Sequence, residues 1–298
     1  MIKGARSKMN KYIRKYGVSY LFLLPFLAPF ILFTIYPLAN AFIYSFYKYN
    51  LKTFRFIGIE NYIKILSEPL FRKSILITFY FVIGAVPSIL IISIILSAIL
   101  FKIQGKLRTI FMGIFYLPYV TSTITFVLSW KLVYDYRYGI LNSIMNMMGL
   151  EDVNWLANPN LAIPAIVAMI VYGTLGVPII LYISAMAGIP ETLYEAARID
   201  GASEWQTLWK ITIPLIMPTT LYLMIVLTIG VFQTFILVYL MTGGGPFYKT
   251  TTMSYFMIRE AFQNSNYGMA SAVGVIFLGI ISVMAVLQYK YFSRDIEY

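Results

Sequence analysis

The chain has 298 residues and a net charge of +11, and its composition is 60% hydrophobic but only 12% charged. Soluble domains carry about twice that share of charged residues, so the composition favours an integral membrane protein over one or two soluble domains. Cysteine and histidine are both absent, which excludes a disulfide framework, the commonest metal ligands and a histidine-activated nucleophile.

Six uncharged stretches are long enough to cross a bilayer core, which needs roughly 20 helical residues. Backbone groups in lipid must be bonded within their own segment, and the stretches do not alternate apolar with polar residues. Helices are therefore predicted rather than barrel strands, and the predicted fold class is all-α and integral to the membrane. In chain order the predicted spans are residues 20–45, 74–100, 110–130, 161–187, 214–241 and 267–288.

Positive charge predicts the orientation of these spans. Residues 1–19 form a basic segment, and the apolar run after it is too long for a signal peptide and lacks a small-x-small cleavage pattern. With this segment inside, the four inner segments carry thirteen Lys and Arg, against ten in the three outer segments, which together contain more residues. The bias predicts that both termini lie in the cytoplasm. Membrane lipids, and not nucleic acid, are the expected partners of these charges.

The sequence lacks the residues that energy-coupled chemistry requires. No G-x-x-x-x-G-K-[ST] loop occurs, so the chain is not expected to bind and hydrolyse ATP by itself. The predicted spans contain no Asp, Glu, Lys or Arg, although proton- and ion-coupled carriers usually keep such residues at membrane depth. Any transport is therefore expected to be powered by another polypeptide. A channel lined by hydroxyls and carbonyls stays open as an alternative.

A polar island, residues 188–213, separates predicted spans four and five on the cytoplasmic side. A proline and two glutamates suit the start of a helix, and Gly201 suits a left-handed stop. Ser203 with Gln206 forms a capping-box pattern for a second short helix, which is predicted to finish before Pro214. The island is thus predicted as helix, glycine turn and helix. Its chemistry fits either an amphipathic loop on the membrane surface or a docking site for a soluble protein.

Within the island, Glu195-Ala196-Ala197 is followed after three residues by Gly201 and after nine more by Ile211-Thr212-Ile213-Pro214. This spacing closely resembles the "EAA" loop of permease subunits in binding-protein-dependent ABC importers, EAA-x3-G-x9-I-x-L-P, with isoleucine in place of the usual leucine. In that family the loop inserts into a cleft of the cytoplasmic ATPase subunit. The resemblance implies that the ATPase-coupling residues are Glu195, Ala196, Ala197, Gly201, Ile211 and Pro214.

Motifs along the rest of the chain extend the resemblance. They are "FIGIENYIKIL" (56–66), "LPYVTST" (117–123), "YGILN" (138–142) and "LMTGGGPFYKTTT" (240–252). Together they resemble carbohydrate-uptake permeases of the maltose type, specifically the F-type partner of the permease pair. The resemblance implies a type I ABC importer permease fold in a bacterial or archaeal plasma (inner) membrane. It also implies four kinds of partner: a second homologous permease, ABC ATPase subunits that bind ATP and magnesium, an extracellular solute-binding protein and a sugar. No cofactor is expected in this chain.

A sugar path needs hydroxyl or amide groups and aromatic faces inside otherwise apolar helices. Tyr119 and Thr123 lie four apart in the third span, and Tyr172 and Gly176 four apart in the fourth, so each pair is predicted to share a helix face. Pro178 is predicted to open the fourth span locally. In the fifth span Gln233 and Thr234 place an amide and a hydroxyl inside the apolar run.

The maltose-type pattern adds a residue-by-residue implication. It places Tyr119, Thr123, Tyr172, Leu175, Gly176 and Thr234 at or beside substrate-contacting positions. Tyr172 and Thr234 stand where that family has asparagines, which implies a different sugar. The same side chains also fit helix-to-helix hydrogen bonds or positions at the membrane interface.

The expected function is therefore that of a permease subunit, and not of an enzyme, that moves a sugar or oligosaccharide by alternating access. An ABC permease for glycerol phosphate or a polyol is the first alternative. A non-transporting membrane scaffold that uses the island to bind a soluble partner is the second. The absence of basic residues from the predicted spans favours a neutral sugar over an anionic cargo.

Overall fold

The computed structural model describes residues 21–292, so the predicted basic segment 1–19 lies outside the described residues. Within them the chain is mostly helical. Its strands are β1 (Tyr47–Tyr49) and β2 (Phe54–Phe56), which pair in antiparallel fashion. Its helices are α1 (Leu21–Tyr44), α2 (Glu60–Ser67), α3 (Pro69–Lys102), α4 (Lys106–Val120), α5 (Thr123–Val133), α6 (Ile140–Met147), α7 (Ala162–Thr174), α8 (Gly176–Ala187), α9 (Glu191–Ile199), α10 (Glu204–Leu215), α11 (Met217–Phe232), α12 (Phe235–Met241), α13 (Met253–Ile258) and α14 (Tyr267–Phe292).

Helix α3 is the centre of the bundle and packs against α7, α8 and α11. Its buried face mixes bulky apolar side chains with small hydroxyl residues. The Ser97 hydroxyl donates a hydrogen bond to the Ile179 carbonyl at 3.1 Å, and the Met253 backbone N–H donates to the Thr78 hydroxyl at 2.9 Å. Small polar residues of this kind let membrane helices approach closely and bond to one another. These two hydrogen bonds hold α8 against the C-terminal half of α3 and the start of α13 against its N-terminal half.

The hairpin and α1 lie beside α14. A Cβ atom added at Gly268 would overlap the Tyr47 carbonyl, so the backbones of β1 and α14 touch directly. The Asn61 amide is buried and donates to the carbonyls of Ser45 and Tyr47 at 2.8 and 2.9 Å. Side chains along α1 are almost all exposed, and an apolar surface of that length indicates contact with lipid or with another protein.

Three of the predicted spans are broken, whereas an opening was predicted in the fourth span alone. The third is divided into α4 and α5 at an angle of 101°, and the fourth into α7 and α8 at 48°. The fifth is interrupted between α11 and α12 at Gln233 and Thr234. Pro118 and Pro178 each lie within three residues of a break, where their missing N–H groups leave a carbonyl without its usual helical partner. Pro178 thus opens the fourth span as predicted.

The second helix of the polar island was predicted to finish before Pro214. It instead continues as α10 to Leu215. Residues Leu208–Thr212 form a wide turn in which the Ile213 N–H donates to the Leu208 carbonyl, five residues earlier. This wide turn opens the helix where the proline ring would meet the preceding turn. The chain then bends by 69° between α10 and α11. Pro214 is therefore accommodated inside α10, and the bend follows it at Ile216.

Asn142 holds together the segment between α5 and α7. Its side chain is 2% exposed. The Nδ2 group donates to the carbonyls of Tyr136 and Val153, both at 3.0 Å. The Oδ1 atom accepts from the Val153 N–H at 3.2 Å and from the Trp155 indole N–H at 3.0 Å. One asparagine thereby joins the "YGILN" motif to residues 153–155, further along the chain.

Replacing Asn142 with leucine is expected to destabilise this segment, because each of the four lost hydrogen bonds is worth about 1 kcal/mol. The expected result is a lower Tm in detergent together with faster proteolysis between residues 136 and 155. Asn146→Leu on the same helix is the matched control, since Asn146 is exposed and its side chain bonds only Asp152 among the described residues. Equal Tm values for the two variants would contradict the role of Asn142 in holding this segment together.

Candidate functional site

Three threonines stand at the three helix breaks. The hydroxyls of Thr121, Thr174 and Thr234 donate to the carbonyls of Leu117, Ile170 and Val231 at 2.8, 2.7 and 2.6 Å. Each hydroxyl therefore bonds a carbonyl in the turn that precedes its break. A hydroxyl oxygen that donates in this way can still accept hydrogen bonds from another group.

The three breaks meet at one cavity of about 390 Å³. Irregular backbone inside a membrane is tolerated only where it is covered by protein or lines such a cavity. The walls are mainly apolar and come from α4, α5, α7, α8, α11 and α12. No charged side chain belongs to the described residues of the lining. Its polar side chains are Tyr119, Thr121, Thr123, Thr174, Tyr222 and Thr234.

Three of the predicted path residues lie together in this cavity: Tyr119, Thr123 and Thr234. Tyr119 is half exposed, Thr123 is exposed, and Thr234 is buried. Tyr119 and Thr123 were expected on one face of one helix, but the 101° break falls between them. They meet in the cavity because the chain turns there and brings the end of α4 and the start of α5 to the same place.

The other four predicted path residues lie outside the cavity lining. Tyr172 is half exposed and packs against Phe126 and Trp130, with ring centroids at 6.4 and 5.6 Å. Leu175 is buried in the core, and Gln233 is exposed at the α11–α12 break.

Gly176 is a packing residue in this structure. An added Cβ would lie 2.7 Å from both the Phe115 carbonyl oxygen and the Tyr116 Cα atom. The α7–α8 break separates Gly176 from Tyr172, so this pair does not share a helix face, contrary to expectation. The glycine instead allows the backbones of α4 and α8 to touch.

Three polar residues of the cavity lining escaped the sequence analysis: Thr121, Thr174 and Tyr222. The signal for them was available, because each is a hydroxyl-bearing side chain inside an uncharged run, like Thr234. Thr121 and Thr174 also stand within four residues of a proline in their span. A search for hydroxyl residues beside intramembrane prolines would have selected them.

The polar island folds locally as predicted. Helix α9 ends at Ile199, and Gly201 follows with φ of +73°, in the left-handed region. The Gln206 N–H donates to the Ser203 hydroxyl at 3.2 Å, and the Ser203 N–H donates to the Gln206 side chain at 2.8 Å. The capping box therefore starts α10, and the prediction of helix, glycine turn and helix is confirmed.

The coupling residues implied by the resemblance occupy different sides of this motif. Ala197 is buried at 7% exposure, whereas Glu195 and Ala196 are exposed. Residues two apart on a helix differ in direction by about 200°, so Glu195 points away from the side on which Ala197 packs. Gly201 and Pro214 are exposed, and Ile211 is half-buried.

An ion pair connects the motif to the bundle, and a second contact joins its two helices. Lys102, at the end of α3, forms an ion pair with Glu204 at the start of α10. Hydrogen bonding by the Lys102 ammonium, followed by its charge, lowers the pKa of the Glu204 carboxyl. The hydroxyls of Tyr194 and Thr212 lie 3.3 Å apart and join α9 to α10. The exposed indoles of Trp205 and Trp209 pack edge to face at 5.7 Å.

Within residues 21–292, no group of three or more His, Cys, Asp or Glu side chains could hold a metal ion. The polar groups gathered at the cavity are hydroxyls, whose chemistry suits hydrogen bonding to a neutral polar ligand.

Comparison with known proteins gives a consistent result. Residues 69–298 match the family described as "Binding-protein-dependent transport system inner membrane component". The trehalose/maltose transport system permease protein MalF of Thermococcus litoralis is 32% identical over 95% of this chain and 96% of its own. The multiple sugar-binding transport system permease protein MsmF of Streptococcus mutans is 31% identical over 96% and 97%. A chain of a bacterial alginate ABC transporter, crystallised with an alginate pentasaccharide-bound periplasmic protein, has the same fold, with a TM-score of 0.84 at 24% identity and coverage of 95% and 96%.

Proposed function

The chain belongs to the family of binding-protein-dependent transport system inner membrane components, as its motifs predicted, and from this membership we propose its function. It is a multi-pass protein of the inner membrane and acts as the permease subunit of an ATP-driven ABC importer. Its cargo is a sugar or oligosaccharide, which crosses by alternating access. It is the F-type member of a permease pair.

The observation that carries this proposal is the cavity at the three helix breaks. A hydroxylated solute must exchange its bonds to water for bonds to protein as it enters the membrane. The cavity offers six hydroxyl side chains among apolar walls, and three of these hydroxyls already donate to helix carbonyls. Many secondary transporters likewise form their substrate sites from broken helices.

The proposed topology has six spans in a single transmembrane domain, residues 20–298, with both termini in the cytoplasm. Three helices, α1, α3 and α14, are individually long and apolar enough to cross a membrane. Counting each of the bent helix pairs α4–α5, α7–α8 and α10–α11 as one span gives up to six. The loop 188–213, with its exposed Glu195 and its ion pair to α3, then lies on the cytoplasmic side.

Energy enters through that loop in this proposal. The chain has no phosphate-binding loop, so ATP and magnesium are bound by partner ATPase subunits and this subunit is not an enzyme. The proposed contact surface is the outward side of α9, around Glu195 and Ala196, followed by the Gly201 turn. The ion pair between Lys102 and Glu204 connects the loop to α3. A second permease subunit and an extracellular solute-binding protein complete the assembly.

The cargo is proposed to be neutral. No Lys or Arg belongs to the described cavity lining, and a phosphate group would require a cationic partner there. Relatives whose names refer to trehalose, maltose and multiple sugars support a sugar over glycerol phosphate. A polyol fits the same hydroxyl groups and becomes an alternative outcome of the uptake experiment.

Thr234→Val is expected to raise the KM for uptake several-fold, because one neutral hydrogen bond is worth about 1 kcal/mol. The measurement is uptake of labelled maltose, trehalose and a polyol, glycerol, into proteoliposomes that hold the complete assembly and ATP. Thr220→Val is the control, since its hydroxyl also donates to a backbone carbonyl beside a helix break but lies outside the cavity lining.

Failure of the wild-type assembly to import any of these solutes on addition of ATP would favour the scaffold alternative. Unchanged KM in Thr234→Val, with import intact, would remove this threonine from the path and leave the transport function standing.

A further inference from the structure

A second, smaller cavity of about 300 Å³ lies on the other side of α12. Thr234 and Leu237 line the larger cavity, whereas Phe235 and Tyr239 line the smaller one. Helix α13 and the wide turn after it, Arg259–Gln263, form the remaining wall. The two cavities therefore share α12 as a common wall.

Three aromatic rings are held together in this second cavity. The rings of Phe235 and Tyr239 stack with centroids 5.5 Å apart, and the Tyr255 ring lies 6.1 and 6.5 Å from them. The Tyr255 hydroxyl donates to the Gly243 carbonyl at 2.7 Å, which fixes the ring in position. Tyr239 is 50% exposed although its ring is stacked. Such a cluster presents apolar faces beside an exposed phenol.

Arg259 supplies hydrogen-bond donors to the same cavity. Its guanidinium lies over the rings of Phe256 and Tyr248, at 5.4 and 5.8 Å, and only 20% of its side chain is exposed. Within residues 21–292 the guanidinium donates no hydrogen bond. Its nearest carboxylate oxygen, in Glu260, is 3.6 Å away. A guanidinium has five N–H donors, and those of Arg259 remain available to a ligand that enters the cavity.

From these contacts we propose that Phe235, Tyr239, Tyr255, Arg259 and Gln263 form a second sugar-binding subsite, which holds one neutral pyranose ring outside the main cavity. The ring stacks its apolar C–H face on the aromatic side chains. Its hydroxyls accept hydrogen bonds from the Arg259 guanidinium and bond the exposed Gln263 amide. The subsite and the larger cavity hold successive positions of the cargo along α12.

The charge balance of the subsite selects a neutral ring. Glu260 is buried and lies beside Arg259, so the two charges offset each other and the pair has no net charge that would favour an anion. The Asn264 amide donates to Glu260 at 2.7 Å, which holds that carboxylate in place. The volume, at the lower end of the range for small-molecule sites, suits a single ring.

This inference rests on the proposed sugar import but can fail separately from it. The chain contains no cysteine, so one introduced thiol gives an unambiguous labelling site. Gln263→Cys places the thiol in the subsite. Lys52→Cys, in the exposed turn between β1 and β2, is the matched control. The complete assembly in nanodiscs is treated with a maleimide at increasing concentrations of maltose or trehalose.

We expect either sugar to slow maleimide labelling of Gln263→Cys and to leave labelling of Lys52→Cys unchanged. Adding Arg259→Met keeps an apolar side chain over Phe256 but removes the donors. It is expected to raise the half-protecting sugar concentration about tenfold, the effect of losing one charge-assisted hydrogen bond.

Two results would overturn the subsite while leaving the proposed function intact. One is that a sugar imported by the same assembly fails to slow maleimide labelling of Gln263→Cys. The other is a thiol at that position that stays unreactive with or without sugar, because a partner chain then covers the cavity. If the assembly imports neither sugar and neither protects the thiol, the proposed function fails and the subsite fails with it.

Discussion

Replacing Glu195 with lysine is expected to abolish ATP-driven sugar uptake while membrane insertion of the chain stays normal. Glu195 is exposed on the side of α9 opposite the buried Ala197. The substitution therefore leaves the packing of α9 intact. It reverses one charge on the surface proposed to enter the ATPase cleft, and a like charge placed against a partner surface costs several kcal/mol.

The experiment compares uptake into proteoliposomes with ATP hydrolysis and with co-purification of the ATPase subunits. We expect uptake to fall to background and co-purification to weaken. Glu151→Lys makes the same charge change at an exposed position in the segment between α6 and α7, and it should leave all three measurements unchanged. Normal uptake by the Glu195→Lys assembly would refute the proposed coupling surface.

Gly176→Val is expected to disrupt the bundle itself. A Cβ at this position would lie 2.7 Å from the Phe115 carbonyl oxygen and from the Tyr116 Cα atom, and both belong to the backbone of α4. Backbone atoms inside a packed helix cannot rotate away as a flexible side chain can. Overpacking typically costs 1–3 kcal/mol in soluble cores, about the scale expected here. The separation of α4 from α8 would also open the wall of the main cavity.

Gly113→Val is the matched control for this substitution. Gly113 lies on α4 as well, but an added Cβ there has no neighbour within 4 Å. We expect a large loss of Tm and of assembled complex for Gly176→Val only. Similar Tm values for the two variants would show that α4 and α8 are not in the close contact described.

The polar island was predictable because its signals are local. The left-handed glycine at position 201 and the reciprocal capping of Ser203 and Gln206 depend on residues within four positions of one another. Sequence therefore specifies them without knowledge of the rest of the fold. The one local error concerns Pro214. The wide turn that admits the proline into α10 is a choice among helical geometries that proline content does not reveal.

The predicted path residues were less predictable than the island, because their positions depend on contacts between helices. Spacing of four placed Tyr172 and Gly176 on one face, yet a break separates them. Aromatic packing with Phe126 and Trp130 then occupies Tyr172, and backbone contact with α4 occupies Gly176. A periodicity rule assumes a continuous helix and therefore fails at the positions where transport proteins interrupt theirs.

The amino-acid sequence alone determined that this protein is a bundle of membrane helices, where the apolar stretches lie, and how the island folds. These properties follow from hydrophobic transfer over about 20 residues and from backbone bonding within a few residues. The tertiary structure alone decided that the breaks converge, so that Thr121, Thr174 and Thr234 share one cavity. The same is true of the second cavity beside Arg259. Each depends on helices distant in sequence, whose angles are set by side-chain packing between them.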